Sequence, residues 1–301
     1  MIQTLRIGTR GSPLALAQAR MVATALREVH GWGPEWIEIV PITTTGDMIR
    51  DRPLAEVGGK ALWTRELDRA LAEGLTDISV HSMKDVETVR PDTFEVAAML
   101  PRADVRDRLI GAESLEALAQ GARVGTSSPR RTAQLLARRP DLAIVPLRGN
   151  VETRLRKIQL GEADATLLAS AGLERLGHAE GVVLDDFLPA PSQGAIGVEV
   201  RADDRRVRAR VHAIDDSATH VCVAAERRLL ERLGGSCHSA VAALAQLDHG
   251  RIHLRAEILS PDGREVQAGE ITYAPKEDRA GELAAELLGR ASPVLRALFG
   301  G

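Results

Sequence analysis

Apolar and polar positions change period several times along the chain, and each change marks an element. Residues 5–10 (LRIGTR) carry a short apolar run that predicts a buried strand, after which Leu16, Ala19, Val22, Leu26 and Val29 recur at helical spacing. Between them stand Ser12, a good N-cap, and Pro13, whose missing amide hydrogen costs nothing at a first helical position. Further on, the pattern predicts a strand over 36–45 (WIEIVPITTT), a loop at Gly58-Gly59, a helix over 61–73 and a strand over 77–82 (DISVHS). That order is an alternating β/α unit.

The same pattern recurs. A strand is predicted over 122–126 (ARVGT), Ser128-Pro129 opens a helix, and a strand over 142–147 (LAIVPL), a helix over 151–160 and a strand over 164–169 (DATLLA) follow. Gly8-Thr9 before Ser12-Pro13 parallels Gly125-Thr126 before Ser128-Pro129, so two α/β lobes of similar topology are expected. A strand over 195–201 (AIGVEVR) then returns the chain to the first lobe, making the two lobes a hinged pair facing a cleft. Helices over 203–213 and 217–233 lead to three strands, 240–247, 251–259 and 265–273, and a last helix over 276–298. The expected fold class is α/β, with two lobes around a cleft and a small α+β third domain. Its expected limits are 1–99 with 195–214 for the first lobe, 100–194 for the second and 215–301 for the third.

Composition narrows the classes. With 44% hydrophobic and 27% charged residues the chain should fold as a globular protein, and 301 residues suffice for two or three cores. No apolar run is long enough to span a membrane and no secretory signal pattern opens the chain, so a cytoplasmic location without membrane contact is expected. Two cysteines exclude a disulfide framework, and no Cys/His spacing suits zinc, so no metal is expected. A net charge of −3 and 2% aromatic residues argue against a nucleic-acid partner. Only four lysines occur, at 60, 84, 157 and 276, against 35 arginines, which makes Lys60 and Lys84 candidates for sites that need a compact ammonium.

Three strand-to-helix corners carry hydroxyls and cations together: Arg10 and Ser12; Thr126, Ser128, Arg130 and Arg131; and Arg148, Asn150, Thr153 and Arg154. Helix N-termini favour anions, and guanidiniums add bidentate bonds to carboxylates, so a ligand with several negative charges is expected. No Gly-rich nucleotide signature is present. His81-Ser82-Met83-Lys84-Asp85 follows a strand directly, and Lys84 with Asp85 reads either as an exposed ion pair or as an acid beside an anion-holding ammonium. His81 reads as strand packing and Cys222 as helix core, whereas Cys237 follows Gly234-Gly235-Ser236 in a loop, where reactive and inert thiols are both open.

Taken together, RIGTRGSPLALAQA, GGKALWTRELD, DISVHSMKDV, VGTSSPRRTAQL, LRGNVETRLRK, ASAGLERL, LPAPSQGAIGVE and GGSCHSAVAAL resemble the porphobilinogen deaminase (hydroxymethylbilane synthase) family over nearly the whole chain. The resemblance implies two lobes similar to type II periplasmic binding proteins plus a third domain. It implies a transferase that condenses four porphobilinogen molecules, with loss of ammonia, onto a dipyrromethane cofactor, then releases the linear tetrapyrrole by hydrolysis. It further implies a thioether to Cys237, Asp85 as the catalytic carboxylate, and cofactor contacts from Lys60, Ser82, Lys84, Asp85, Thr126, Ser128, Arg130, Arg131 and Arg148. Substrate contacts fall to Arg10, Ser12, Gln18, Arg148, Arg154, Arg175 and Gln193, and a monomer that passes its product to the next enzyme is implied. The chain departs from the family pattern at Glu56, Ala61, Trp63, Ser192, Ala240 and Ala243. The competing class is a non-catalytic, two-lobed anion-binding protein, which leaves Cys237 without a role.

Overall fold

The computed structural model describes residues 4–44, 64–236 and 239–299. Two compact units are present, Met1–Ala103 with Ala195–His220, and Asp104–Gly194 with Val221–Gly301. In the first unit, strands β1 (Leu5–Arg10), β2 (Ile37–Ile42), β3 (Ile78–Ser82), β4 (Phe94–Met99) and β10 (Ile196–Arg201) form one sheet in the order β2-β1-β3-β10-β4. β1 runs parallel to β2 and β3, while β10 runs antiparallel to β3 and β4.

Helix α1 (Pro13–His30) starts where the sequence places it, because Ser12 Oγ accepts from Ala15 N at 3.3 Å and Pro13 fills the first turn. It ends at Gly31, whose φ of 64° is open to glycine and whose N–H bonds back to Arg27 O. The buried face of α1, with Ala19, Val22, Ala23 and Leu26, packs on Leu5, Ile7, Ile78 and Val80 of the sheet. Burial of Val22 and Leu26, both fully enclosed, contributes about 1.5–3 kcal/mol each. The first unit also contains helices α2 (Arg65–Ala72) and α6 (Arg205–His212), of which α6 adds Val207 and Val211 to the same core.

The second unit holds two sheets. Strands β5 (Asp107–Ile110), β6 (Arg123–Gly125), β7 (Ala143–Val145), β8 (Ala165–Ala169) and β9 (Val182–Leu184) take the order β7-β6-β8-β5-β9, with helices α3 (Pro129–Arg138), α4 (Val151–Gln159) and α5 (Ser170–Arg175). β6 is parallel to β7 and β8, and β5 is antiparallel to β8 and β9, so order and direction repeat those of the first sheet. The antiparallel fourth strand, however, is early in the chain here (β5) and late in the first unit (β10), which accounts for the discontinuous first unit. The other sheet is antiparallel, β11 (Val241–Asp248), β12 (Arg251–Leu259) and β13 (Val266–Tyr273), and packs with α7 (Ser217–Arg232) and α8 (Ala280–Arg290) around a core that includes Leu229, Ile252, Tyr273 and Leu287.

The expected two α/β lobes and small α+β domain are therefore present, with local corrections. The last helix, expected over 276–298, breaks at Ala291; Ser292 Oγ accepts from Leu295 N at 3.1 Å and caps a separate turn, α9 (Pro293–Arg296). It is the same Ser-Pro start signal used by α1 and α3. Strands β4, β5 and β9 and helix α5 are additions to the expected elements. Trp36 belongs to a 3-10 turn ahead of β2 rather than to the strand. Gly58-Gly59 and the expected helix start at 61 lie outside the described residues.

Candidate active site

In the first unit, Arg10 at the end of β1, Ser12 and Gln18 at the start of α1, and Ser82 and Asp85 after β3 line one pocket, together with Thr64, Val80, His81 and Val86. Five residues singled out in the sequence thus meet in space. Gln18 is 2% exposed and its Nε2 has no hydrogen-bond partner, an orphan donor that a ligand acceptor would satisfy. Asp85 is held by a 3-10 turn, Met83–Asp85, pinned from both sides. Met83 N donates to Ala195 O at 3.1 Å and Val86 N to Met83 O at 3.3 Å. The Met83 side chain is buried against Gly197, where an added Cβ would collide with the Met83 sulfur. Lys84 stands half-buried in the same turn.

Beneath the pocket lies an ionic cluster that the sequence did not disclose. Arg90 Nε and Nη2 donate to the two carboxylate oxygens of Glu199 at 2.8 and 2.9 Å, and Arg90 also bonds Asp68 (2.6 Å) and Glu87 (2.8 Å). His81 Nε2 lies 3.3 Å from Glu199, so the histidine expected to pack in the strand also faces a buried carboxylate. Burial alone would raise the Glu199 carboxyl, but His81 and Arg90 outweigh it and hold it at about 2. Asp68 moves the other way, raised chiefly by burial.

In the second unit, Ser128 caps α3 by accepting from Arg131 N (3.4 Å), and its own N–H donates to Thr126 Oγ1 (3.1 Å). Arg130 and Arg131 are nearly buried, and both bind Asp107, at 2.8 and 2.7 Å. Gln193, expected at substrate, is fully buried, and its Nε2 donates to Val105 O (2.7 Å) and Asp107 (2.9 Å). Asn150 caps α4 through Thr153 N (2.9 Å), and Arg154 Nε holds Gly149 O (2.9 Å). Arg148, at the same corner, makes no hydrogen bond or ion pair among the described residues. Arg175, at the end of α5, donates from Nη2 to Gly194 O at 2.6 Å, but its buried Nε has no partner. Burial outweighs the attraction of Glu174 and lowers its base to about 10.

Cys222 is 5% exposed inside the core of the antiparallel sheet, where a covalent group would displace packed side chains. Cys237 and Lys60 lie outside the described residues, as do Glu56, Ala61 and Trp63. Ser192 has a φ of 67° and is buried, with its N–H donating to Glu226 Oε2 at 2.6 Å. Its backbone therefore sits in the left-handed region that favours glycine.

These features define a class: an α/β protein with paired lobes of like topology, equipped with arginines and hydroxyls for a ligand rich in carboxylates and with a pocket carboxylate at Asp85. Within the second unit, the orphan donors on Arg130 and Arg175 fit the acetate and propionate groups of a dipyrromethane, and in the first unit the orphan donor of Gln18 fits a carboxylate. Residues 5–209 match the family model "Porphobilinogen deaminase, dipyromethane cofactor binding domain" and 220–290 match "Porphobilinogen deaminase, C-terminal domain". The chain is 57% identical over 307 residues to a porphobilinogen deaminase of Sphingopyxis alaskensis, covering 98% of this chain and 96% of that protein. It is 52% identical over 296 residues to one of Paracoccus denitrificans, covering 95% and 94%. Among solved structures, a nutrient-binding protein from Burkholderia cenocepacia bound to methionine is similar, at TM-score 0.44 and 14% identity over 72% of this chain and 93% of that one. The chain belongs to the porphobilinogen deaminase family. It is a transferase of tetrapyrrole synthesis with hydroxymethylbilane synthase activity, a dipyrromethane cofactor and porphobilinogen as substrate. Among the described residues, no helix is long and apolar enough to cross a membrane, and no group of three or more His, Cys, Asp or Glu is placed to hold a metal ion.

Proposed function

We propose that Asp85 is the carboxylate at the reacting centre and that the dipyrromethane is attached through Cys237. The pocket shared by Asp85, Arg10, Ser12, Gln18 and Ser82 carries the proposal for Asp85. A carboxylate there accepts the pyrrole N–H of porphobilinogen and stabilises the positive charge that develops as ammonia departs. Arg10, Ser12 and Gln18 orient the substrate by donating to its acetate and propionate, for which the orphan Gln18 Nε2 is the support. The dipyrromethane, when bound, supplies the pyrrole carbon on which the chain of rings grows. Arg130, Arg131, Arg148, Arg154 and Arg175 hold the carboxylates of the cofactor and the lengthening chain, with Ser128 and Thr126 at the N-terminus of α3. Burial of Cys222 supports Cys237 as the attachment point, since only one other thiol exists. A cytoplasmic monomer that passes its product to the next enzyme completes the reading.

Asp85→Asn tests it. The amide fills the same space without the negative charge, so protein shown by mass to carry its cofactor should lose kcat by far more than KM changes, the sign of an interaction made in the transition state. A wild-type rate of ammonia release from porphobilinogen in fully loaded Asp85→Asn contradicts the assignment.

A further inference from the structure

Three of the residues assigned above to cofactor or substrate converge on one buried carboxylate that no such role covers. Asp107 is the first residue of β5 and is fully buried. It accepts from Arg130 Nη2 (2.8 Å), Arg131 Nε (3.2 Å), Arg131 Nη2 (2.7 Å) and Gln193 Nε2 (2.9 Å). Antiparallel pairing of β5 with β8, Asp107 opposite Ala169, brings it to the end of β8 near the N-terminus of α3.

The remaining bonds fix the two guanidiniums further. Arg131 Nη1 donates to Leu167 O at 2.9 Å, and Arg130 Nη1 donates to Gln134 Oε1 (2.9 Å) and Leu188 O (3.1 Å). Gln134 in turn donates to Glu257 Oε2 at 3.0 Å, the next carboxylate outward. A guanidinium has five N–H donors in a rigid plane, and in each of these arginines three are engaged by the protein, leaving two directed elsewhere. For Arg130 one of the two is the Nε–H, which is buried and without a partner. A planar fork held at three points has no rotational freedom left, so its unused donors have one direction only.

We infer that Asp107 is a positioning residue: it fixes the planes of Arg130 and Arg131 so that their two unused N–H groups each meet carboxylates of the dipyrromethane, and Gln193 serves it by holding the carboxylate from the far side. The inference rests on the reading that these arginines face the cofactor.

A change of charge and a change of position have opposite signs here, which makes the test decisive. Asp107→Asn adds one positive charge to the cluster, so a carboxylate acting only on local charge would, when removed, strengthen capture of an anionic group. Loss of positioning weakens it. Cofactor-free Asp107→Asn, Asp107→Glu and Arg131→Leu proteins are incubated with porphobilinogen, and the fraction carrying the covalent dipyrromethane is followed by intact mass alongside circular dichroism and thermal melting. Loading of folded Asp107→Asn should slow by roughly tenfold or more, the loss of at least one charge-assisted bond. Asp107→Glu keeps the charge but displaces it by one methylene; it remains folded and should also load more slowly than wild type. Wild-type or faster loading in a folded Asp107 variant, with Arg131→Leu impaired, overturns the role of Asp107. Wild-type loading in Arg131→Leu overturns instead the placement of these arginines at the cofactor. A lowered melting temperature with unaltered loading in Asp107→Glu assigns Asp107 to stability alone and also overturns the inference.

Discussion

Arg175 allows stability and affinity to be moved in opposite directions by one substitution. Its guanidinium is largely buried, bonds one backbone carbonyl and, among the described residues, no carboxylate. With burial bringing its base well below the ordinary guanidinium value, to about 10, the charged form carries a burial cost on the order of 3 kcal/mol in the ligand-free protein, at about 1.4 kcal/mol per tenfold. Because a cation is involved and its folded value is the lower one, this cost is fully present below pH 10 and is relieved only as pH rises through that value. Arg175→Met keeps the unbranched aliphatic stem and removes the charged guanidinium; the unpaired Gly194 carbonyl takes back about 1 kcal/mol. The cofactor-free variant should therefore be more stable than wild type by about 1–2 kcal/mol, raising Tm by about 2–5 °C. On the proposed placement of Arg175 at a ligand carboxylate, the same change removes a charge-assisted bond worth about 1.5–3 kcal/mol, so affinity for porphobilinogen or the growing chain should fall about 10–150-fold. Differential scanning fluorimetry of cofactor-free protein reads the first effect and steady-state kinetics of loaded protein the second. A lower Tm would mean that the guanidinium is compensated internally, and a raised Tm with unchanged KM and kcat would mean that no ligand carboxylate reaches it; either result refutes the account of this residue.

Two further substitutions test the surrounding physics. Ser192→Gly relieves a buried left-handed residue while keeping its N–H on Glu226, and it should stabilise the protein by about 0.5–1 kcal/mol in denaturant unfolding; a loss of stability would show that the serine side chain matters more than the backbone. Glu199, held at about 2 against an ordinary 4.5, contributes stability that is complete above pH 4.5 and disappears as pH falls toward 2. Acid titration should thus take on the order of 3 kcal/mol more from wild type than from Glu199→Gln, with Asp68, raised by burial, offsetting part of it. Equal slopes would contradict the pairing of Glu199 with Arg90 and His81.

What the sequence discloses depends on how local the cause is. The Ser-Pro starts of α1 and α3 are legible because cap, proline and helical period lie within a few residues. The pocket around Asp85 is legible in its parts because each member sits beside a strand end or a helix start. Asp107 is not: within RADVRDRLIG it reads as loop charge, and only two arginines more than 20 residues later make its burial tolerable. The same holds for Glu199, inside an apolar strand, whose partner Arg90 is 109 residues away. The break at Ala291 carried its signal in Ser292-Pro293, which the long apolar period obscured. Ser192 is a different case, since a residue's φ follows from the chain on both sides of it, here a turn held by Glu226 of α7.

In the proposed reaction this chain builds its product on a dipyrromethane carried by Cys237. Intact-mass measurement of the purified protein before and after addition of porphobilinogen, followed by peptide mapping, tests it most directly. The expected result is a covalent dipyrromethane on the peptide containing Gly234-Gly235-Ser236-Cys237, extended by successive pyrrole units when substrate is added. Unmodified protein that stays unmodified with porphobilinogen, or an adduct on the peptide containing Cys222, would contradict it.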